Sequence, residues 1–184
     1  MQTSSASTAV SPTRRYWDRR FVVFALLAAT ADLATKQLAV SFLTEREIDV
    51  SGRFGLLLVW NTGGAGGYSI GPATWFLNVA MTALAVVIMT VIAADLGRFH
   101  RLGAIALGIV TGGAVGNLAS MLAGPDGVAD FLALHLADRS IVFNVADIAL
   151  WSGALLLIPV VVLLTRAIRA ERQQKSPRSA IATA

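Results

Sequence analysis

Two acids, Asp130 and Asp147, are the residues best placed to do chemistry in this chain. They lie in the stretch from Gly127 to Trp151, each where polar chain meets a long apolar run. One run ends near Ala123 and the next starts near Val145. A carboxylate near the end of a membrane helix is costly to place there and asks for a reason. Two carboxylates that meet suggest an aspartic-protease dyad, in which one proton is shared because both acids cannot ionise at close range. A plainer account exists for each. Asn144 stands three residues before Asp147, which suits a helix N-cap followed by an acid at N3, favoured by the helix dipole alone. Asp130 on its own reads as a solvated loop acid. On spacing alone the plainer accounts come first.

Other polar groups interrupt apolar sequence. Asp32 and Lys36 are spaced i, i+4 with the acid first, so they share a helix face and can pair. Ionic residues inside a span usually face the protein interior, and here a structural ion pair is the first reading. Gly108, Gly112 and Gly116 recur every fourth residue, which permits close helix packing. That packing accounts for the glycines but not for Asn117, which follows them and shares nearly one face with Ser120. The segment Phe54 to Trp60 is apolar and β-prone, and runs into the glycine-rich Asn61 to Gly67. Such a run supplies turns and lets another backbone approach closely. It is not a phosphate loop, since no Gly-Lys-Ser/Thr follows.

The elements that must position these residues are membrane helices. Of 184 residues, 55% are hydrophobic and 14% charged, and the mean hydropathy is +0.67. A soluble domain carries roughly 25% charged residues. The apolar runs near 21–43, 73–96, 102–123 and 145–165 predict four transmembrane helices, each long enough to cross the hydrocarbon core. The first run follows a basic flank, as a signal peptide does, but it is too long for one and contains Asp32 and Lys36. The expected fold is therefore mainly α, with a small extracytoplasmic sheet lying on the membrane. Residues 1–13 and 171–184 read as disordered tails around a membrane domain at 14–170. With no cysteine and only His100 and His135, no disulfide frame, thiolate nucleophile or metal site is expected.

Orientation follows the basic residues beside the spans. Eleven lysines and arginines flank one side, at the N-terminal flank, the Gly97 to Arg101 connector and the C-terminal tail. Only Arg46, Arg53 and Arg139 lie on the other. Both termini are thus expected in the cytoplasm, with the two acids at the outer face. The basic excess, with a pI near 10.3, reads as topology and contact with anionic phospholipid rather than as a nucleic-acid footprint.

These residues fall into motifs that resemble one family, the bacterial lipoprotein signal peptidases or signal peptidase II, from about Arg19 to Arg169. The first-helix D-x-x-T-K is similar to Asp32, Thr35 and Lys36. The cradle N-x-G-x-A is similar to Asn61, Gly63 and Ala65. The G-G-A-x-G-N is similar to Gly112, Gly113, Ala114, Gly116 and Asn117. V-x-D-F resembles Val128, Asp130 and Phe131, and F-N-x-A-D resembles Phe143, Asn144, Ala146 and Asp147. Each motif is weak alone; five in order on a four-helix frame are specific. The resemblance implies four membrane helices with an extracytoplasmic β-cradle, acting as a monomer in the bacterial inner membrane. It implies an aspartic endopeptidase that cuts prolipoproteins before a diacylglyceryl-modified cysteine, with Asp130 and Asp147 as the dyad and no cofactor. It also implies that Asp32, Lys36, Asn61, Gly63, Gly116, Asn117 and Asn144 support the site or bind substrate.

The chain departs from the family pattern in two places. The family continues G-N-x-x-D-R, where this chain has Ser120 and Met121, and its cradle motif ends in a bulky aromatic residue, where this chain has Gly66. These departures bear on substrate binding more than on the chemistry. They leave open a second reading, a weakly active or inactive member that binds lipoprotein or lipid. A small transporter is a third, suited by the Asp32/Lys36 pair, but it leaves the glycine-rich segment and the outer acids unexplained.

Overall fold

Apolar runs of this length fold as helices wherever water cannot satisfy their backbone. The structure, a computed structural model, describes residues 17–44, 46–64, 68–123, 127–137 and 139–174. Helices α1 (Arg19–Leu43), α2 (Thr74–Phe99), α3 (Arg101–Ala123) and α4 (Val145–Gln174) are each long and apolar enough to cross a membrane. Large apolar side chains such as Phe76, Val87, Leu155 and Ile158 point outward, as expected where the surrounding solvent is lipid. The chain is a multi-pass membrane protein.

The helix ends differ from the hydropathy boundaries for local reasons. The second span reads as ending near Leu96, yet α2 runs to Phe99 and leaves only His100 between it and α3. The His100 imidazole accepts the Leu102 N–H at 3.2 Å and so caps the start of α3. The fourth run reads as ending near Thr165, but α4 continues to Gln174 through Arg166, Arg169 and Arg172. Polar helix formers extend a helix past its apolar stretch at little cost, so residues 171–174, assigned above to a disordered tail, are helical. The remaining tail segments, 1–13 and 175–184, lie outside the described residues, as do Ala65 and Gly66.

Helix α3 is the hub, and α1, α2 and α4 all pack on it. Its glycines make that possible. A Cβ at Gly112 would strike the Ala25 carbonyl and Ala28 of α1, and one at Gly113 would strike the Ala146 carbonyl of α4. Small residues at such contacts let backbones approach closely.

Above the helices lies a four-stranded antiparallel sheet in the order β1 (Ile48–Asp49), β2 (Phe54–Asn61), β3 (Val128–His135), β4 (Ser140–Phe143). The glycine-flanked apolar segment is β2, as the sequence suggests. Strand β3 is the surprise: Asp130, read alone as a loop acid, sits in a strand and is only 5% exposed. Residues alternate across a strand. Phe131 packs with Ala39 and Leu43 at the sheet end of α1, so the neighbouring Asp130 takes the other face. The register sets Val59 opposite Asp130 and Asn61 opposite Val128, which puts Asn61 and Asp130 on one face as diagonal neighbours.

Candidate active site

Asp147 is held by the end of its own helix. The Asn144 side-chain oxygen accepts the Asp147 N–H at 3.1 Å, and the Asp147 carboxylate accepts the Asn144 N–H at 3.0 Å. This is a reciprocal capping box, with both backbone donors satisfied at the helix start. The plain capping account of Asp147 is therefore correct as far as it goes, but the carboxylate is not used up by it. Its other oxygen accepts from the Asn117 amide at 3.4 Å, a long contact, and the side chain is half-buried.

Asp130 is reached through the same asparagine. The Asn144 amide donates to Asp130 Oδ1 at 2.6 Å, and the Asn61 amide donates to Asp130 Oδ2 at 3.1 Å. Asn144 therefore touches both acids, one with its backbone and the other with its side chain. Burial pushes the Asp130 carboxyl above the ordinary value. The bonds from Asn144 and Asn61 pull it back, and the neighbouring Asp147 charge adds to the rise.

The cradle and the helices extend the network. The Gly63 N–H donates to the Asn61 side-chain oxygen at 3.0 Å, fixing which end of that amide faces Asp130. On the helix side, the Lys36 ammonium bridges Asp32 Oδ2 at 2.7 Å and Asn117 Oδ1 at 2.6 Å. Asp32 is fully buried and accepts the Ala146 N–H of α4 at 2.8 Å with its second oxygen. Gly116 makes room for that carboxylate, since any Cβ there would fall on it. The Asp32/Lys36 pair is thus more than a structural tie within one helix, because it reaches both α3 and α4.

All nine residues singled out from the sequence are brought together: Asp32, Lys36, Asn61, Gly63, Gly116, Asn117, Asp130, Asn144 and Asp147 share one connected cluster. Ser120 is not in it. Its hydroxyl donates to the Gly116 carbonyl of its own helix at 3.0 Å, and it lines a cavity of about 320 Å³ between α1, α3 and the sheet with Leu33, Trp60 and Ala129. Sequence reasoning missed Asn78. Its amide donates to the Gly63 carbonyl at 3.1 Å and ties α2 to the turn that orients Asn61. A lone amide in the apolar run Trp75-Phe76-Leu77-Asn78 was the available signal. Trp75 was missed too; its indole N–H donates to the Met121 carbonyl at 3.0 Å.

Two carboxylates joined through one asparagine, fed by amide donors and set at the mouth of a helical bundle, can share a proton and activate water. Among the described residues no cluster of three or more His, Cys, Asp or Glu could hold a metal ion.

Comparison with known proteins places the chain in a family. The family model for signal peptidase (SPase) II matches residues 24–163. The chain is 38% identical over 148 residues to the lipoprotein signal peptidase of Symbiobacterium thermophilum, covering 79% of this chain and 95% of that protein. It is 36% identical over 162 residues to the lipoprotein signal peptidase of Streptomyces coelicolor, covering 80% and 74%. Among solved structures, it superposes on a bacterial membrane enzyme determined by the in meso method at 2.3 Å resolution. The TM-score is 0.70 at 19% identity, over 82% of this chain and 92% of the other, which shows a common fold.

Proposed function

The chain belongs to the signal peptidase II family, and from that premise we propose that Asp130 and Asp147 are its catalytic pair. The protein is a membrane aspartic endopeptidase that processes prolipoproteins. Its finer specificity, cleavage just before a diacylglyceryl-modified cysteine, is part of the proposal. So is its placement in the cell membrane with both termini cytoplasmic and the acids at the outer face. The observation that carries the reading is the double role of Asn144, which binds Asp130 with its amide and Asp147 with its N–H. Asn144 thereby ties the strand acid to the helix-start acid at one point.

In the reaction, the ionised acid takes a proton from a water. The hydroxide oxygen bonds to the scissile carbonyl carbon, while the protonated acid donates to the carbonyl oxygen. The resulting gem-diol collapses: one of its hydroxyls returns a proton to the acid that gave one, the C–N bond breaks, and the leaving nitrogen takes water's proton from the other acid, so the pair ends with one acid ionised and one protonated, as it began. Asn61 and Asn144 keep the Asp130 oxygens in place, and Asn117 does the same for Asp147. The substrate's acyl chains remain in lipid beside the helices, with phospholipid around them. The nine cluster residues connect to one another without needing a second copy, and action as a monomer is part of the proposal. The complete cluster favours an active enzyme over a binder that merely keeps the fold.

The test is cleavage of a diacylglyceryl-modified lipobox peptide by the purified protein in detergent. Asp130→Asn and Asp147→Asn should each abolish turnover while the protein stays folded, because an amide can neither take the proton of water nor share one. If Asp147 only caps its helix, its replacement costs about 1 kcal/mol or less and activity survives. Near-normal turnover in Asp147→Asn would therefore sink the protease site.

A further inference from the structure

Each of the three asparagines around the acids is oriented by a partner that leaves it no choice. An asparagine amide offers an oxygen that accepts and an NH₂ that donates. The Asn61 oxygen is taken by the Gly63 N–H, and the Asn144 oxygen by the Asp147 N–H. Both partners are backbone donors, so both amides must present NH₂ to Asp130. Among the described residues Asn117 has no such backbone partner for its oxygen. The Lys36 ammonium takes that place at 2.6 Å, and an ammonium can only donate. With its oxygen held, Asn117 turns its NH₂ to Asp147.

We propose that Lys36 is a positioning residue of the reaction: through Asn117 it keeps a hydrogen-bond donor aimed at Asp147, so that Asp147 is the member of the pair that starts ionised and accepts the proton of water. This inference rests on the dyad reading above. The charged groups around Asp147 are Asp32 and Lys36 of α1 and Asp130 of β3, while α3 and β2 contribute the uncharged Asn117 and Asn61. Asp32 and Lys36 form a pair of no net charge, 2.7 Å apart and almost wholly buried. Their effect on Asp147 is thus carried by the orientation of the amide between them more than by a lone charge. The remaining donor to Asp147 is the Asn144 N–H at the start of its own helix. Asp130 is more deeply buried than Asp147, and in this proposal it is the acid that donates to the scissile carbonyl.

Removing Lys36 alone would strand the buried Asp32 charge and endanger folding. The experiment therefore uses Asp32→Asn/Lys36→Met, which removes the ammonium with its counter-charge and leaves an oxygen for the Ala146 N–H. Its pH–rate profile for kcat is compared with those of the parent and Lys36→Arg, using a diacylglyceryl-modified lipobox peptide in detergent. With no donor to hold it, the Asn117 oxygen can swing toward Asp147, which disfavours the ionised base. The acidic limb is expected to move to higher pH by about one unit, a loss of roughly tenfold below the limb that recovers as pH is raised. Lys36→Arg, which still donates to both partners, should keep the parental limb. A limb at the parental pH in the folded double variant overturns the proposal. A second double variant, Asp32→Asn/Lys36→Gln, restores a neutral donor opposite Asn117 and should return the limb toward its parental position; failure to do so also overturns it. These outcomes are separate from the dyad reading, which falls only if Asp130→Asn or Asp147→Asn retains turnover.

Discussion

The Asn144 side chain, only 1% exposed, donates to Asp130 at 2.6 Å while its own N–H is held by Asp147 at 3.0 Å. One residue therefore sets both the start of α4 and the spacing of the two acids, so helix capping and site geometry are a single structural fact. The two roles can be separated. Serine is as good an N-cap as asparagine, but its side chain is too short to reach Asp130. Asn144→Ser should melt within about 1 kcal/mol of the parent yet lose most of its turnover, and Asn144→Ala should lose both. Thermal unfolding in detergent beside the cleavage assay reads the two effects. Parental turnover in Asn144→Ser would show that the amide contact to Asp130 is dispensable.

Burial of Asp130 has a consequence for stability. Its folded carboxyl titrates above the ordinary 3.8, chiefly because burial penalises the charge. Between those two values the folded state holds more protons than the unfolded state, so this group's contribution to stability falls as pH rises through the window. Below the ordinary value the loss vanishes. The difference in melting temperature between the parent and Asp130→Asn, measured from pH 3 to 8, should move in favour of the variant as pH rises and then level off. A pH-independent difference would mean that Asp130 is not strained by burial. The subtraction removes every titrating group that the two proteins share.

Orientation in the membrane rests on the asymmetry of arginine and lysine and can be checked on exposed positions. Ser51 and Ile141 lie at the sheet end and Arg98 at the end of α2, all three exposed. Because the chain has no cysteine, Ser51→Cys, Ile141→Cys and Arg98→Cys each introduce a single label site. An impermeant thiol reagent on intact cells should modify the first two and spare the third until the membrane is opened. The reverse pattern would place the acids on the cytoplasmic side.

How much of this was legible beforehand follows the range of each interaction. The four spans, the Asp32/Lys36 pair and the Asn144/Asp147 cap depend on neighbours within a few residues, and hydropathy or i, i+4 spacing reveals them. Strand β3 does not announce itself. At its start Val128, Ala129, Asp130 and Phe131 are all buried, so the alternation that marks a half-exposed strand is missing. Its pairing with β2 joins segments on either side of two whole helices, which no local pattern encodes. The family motifs named the polar residues without their connections. That Lys36 reaches Asn117 on another helix, or that Asn78 braces Gly63, depends on how α1 and α2 dock on α3. The glycines on α3 hint at that docking but do not specify it.

The departures at Ser120 and Met121 are the remaining place where sequence and site disagree, and the structure changes how they are read. Ser120 spends its hydroxyl on the Gly116 carbonyl of its own turn and faces the cavity beside α1, where Trp60 and Ala129 of the sheet form the far wall. A carboxylate at that position would face the same cavity, which Gly127 and Ala129 at the start of β3 also line, and could accept hydrogen bonds that a neutral hydroxyl turned to its own helix does not. Met121 is half-buried in the last turn of α3, with its carbonyl held by Trp75. A guanidinium at that position offers a planar fork of donors for a substrate carbonyl, which a thioether cannot. One charge-assisted hydrogen bond is worth about 1.5–3 kcal/mol, or roughly tenfold or more in binding. Either charge introduced alone would be poorly compensated at a membrane boundary. Ser120→Asp together with Met121→Arg should therefore lower KM for a lipobox substrate about tenfold with little change in kcat, since neither position touches Asp130 or Asp147. Steady-state kinetics on the folded double variant decides it. An unchanged KM would mean that the cradle and α2, through Asn78 and Trp75, already supply the hold on the substrate that these two positions lack.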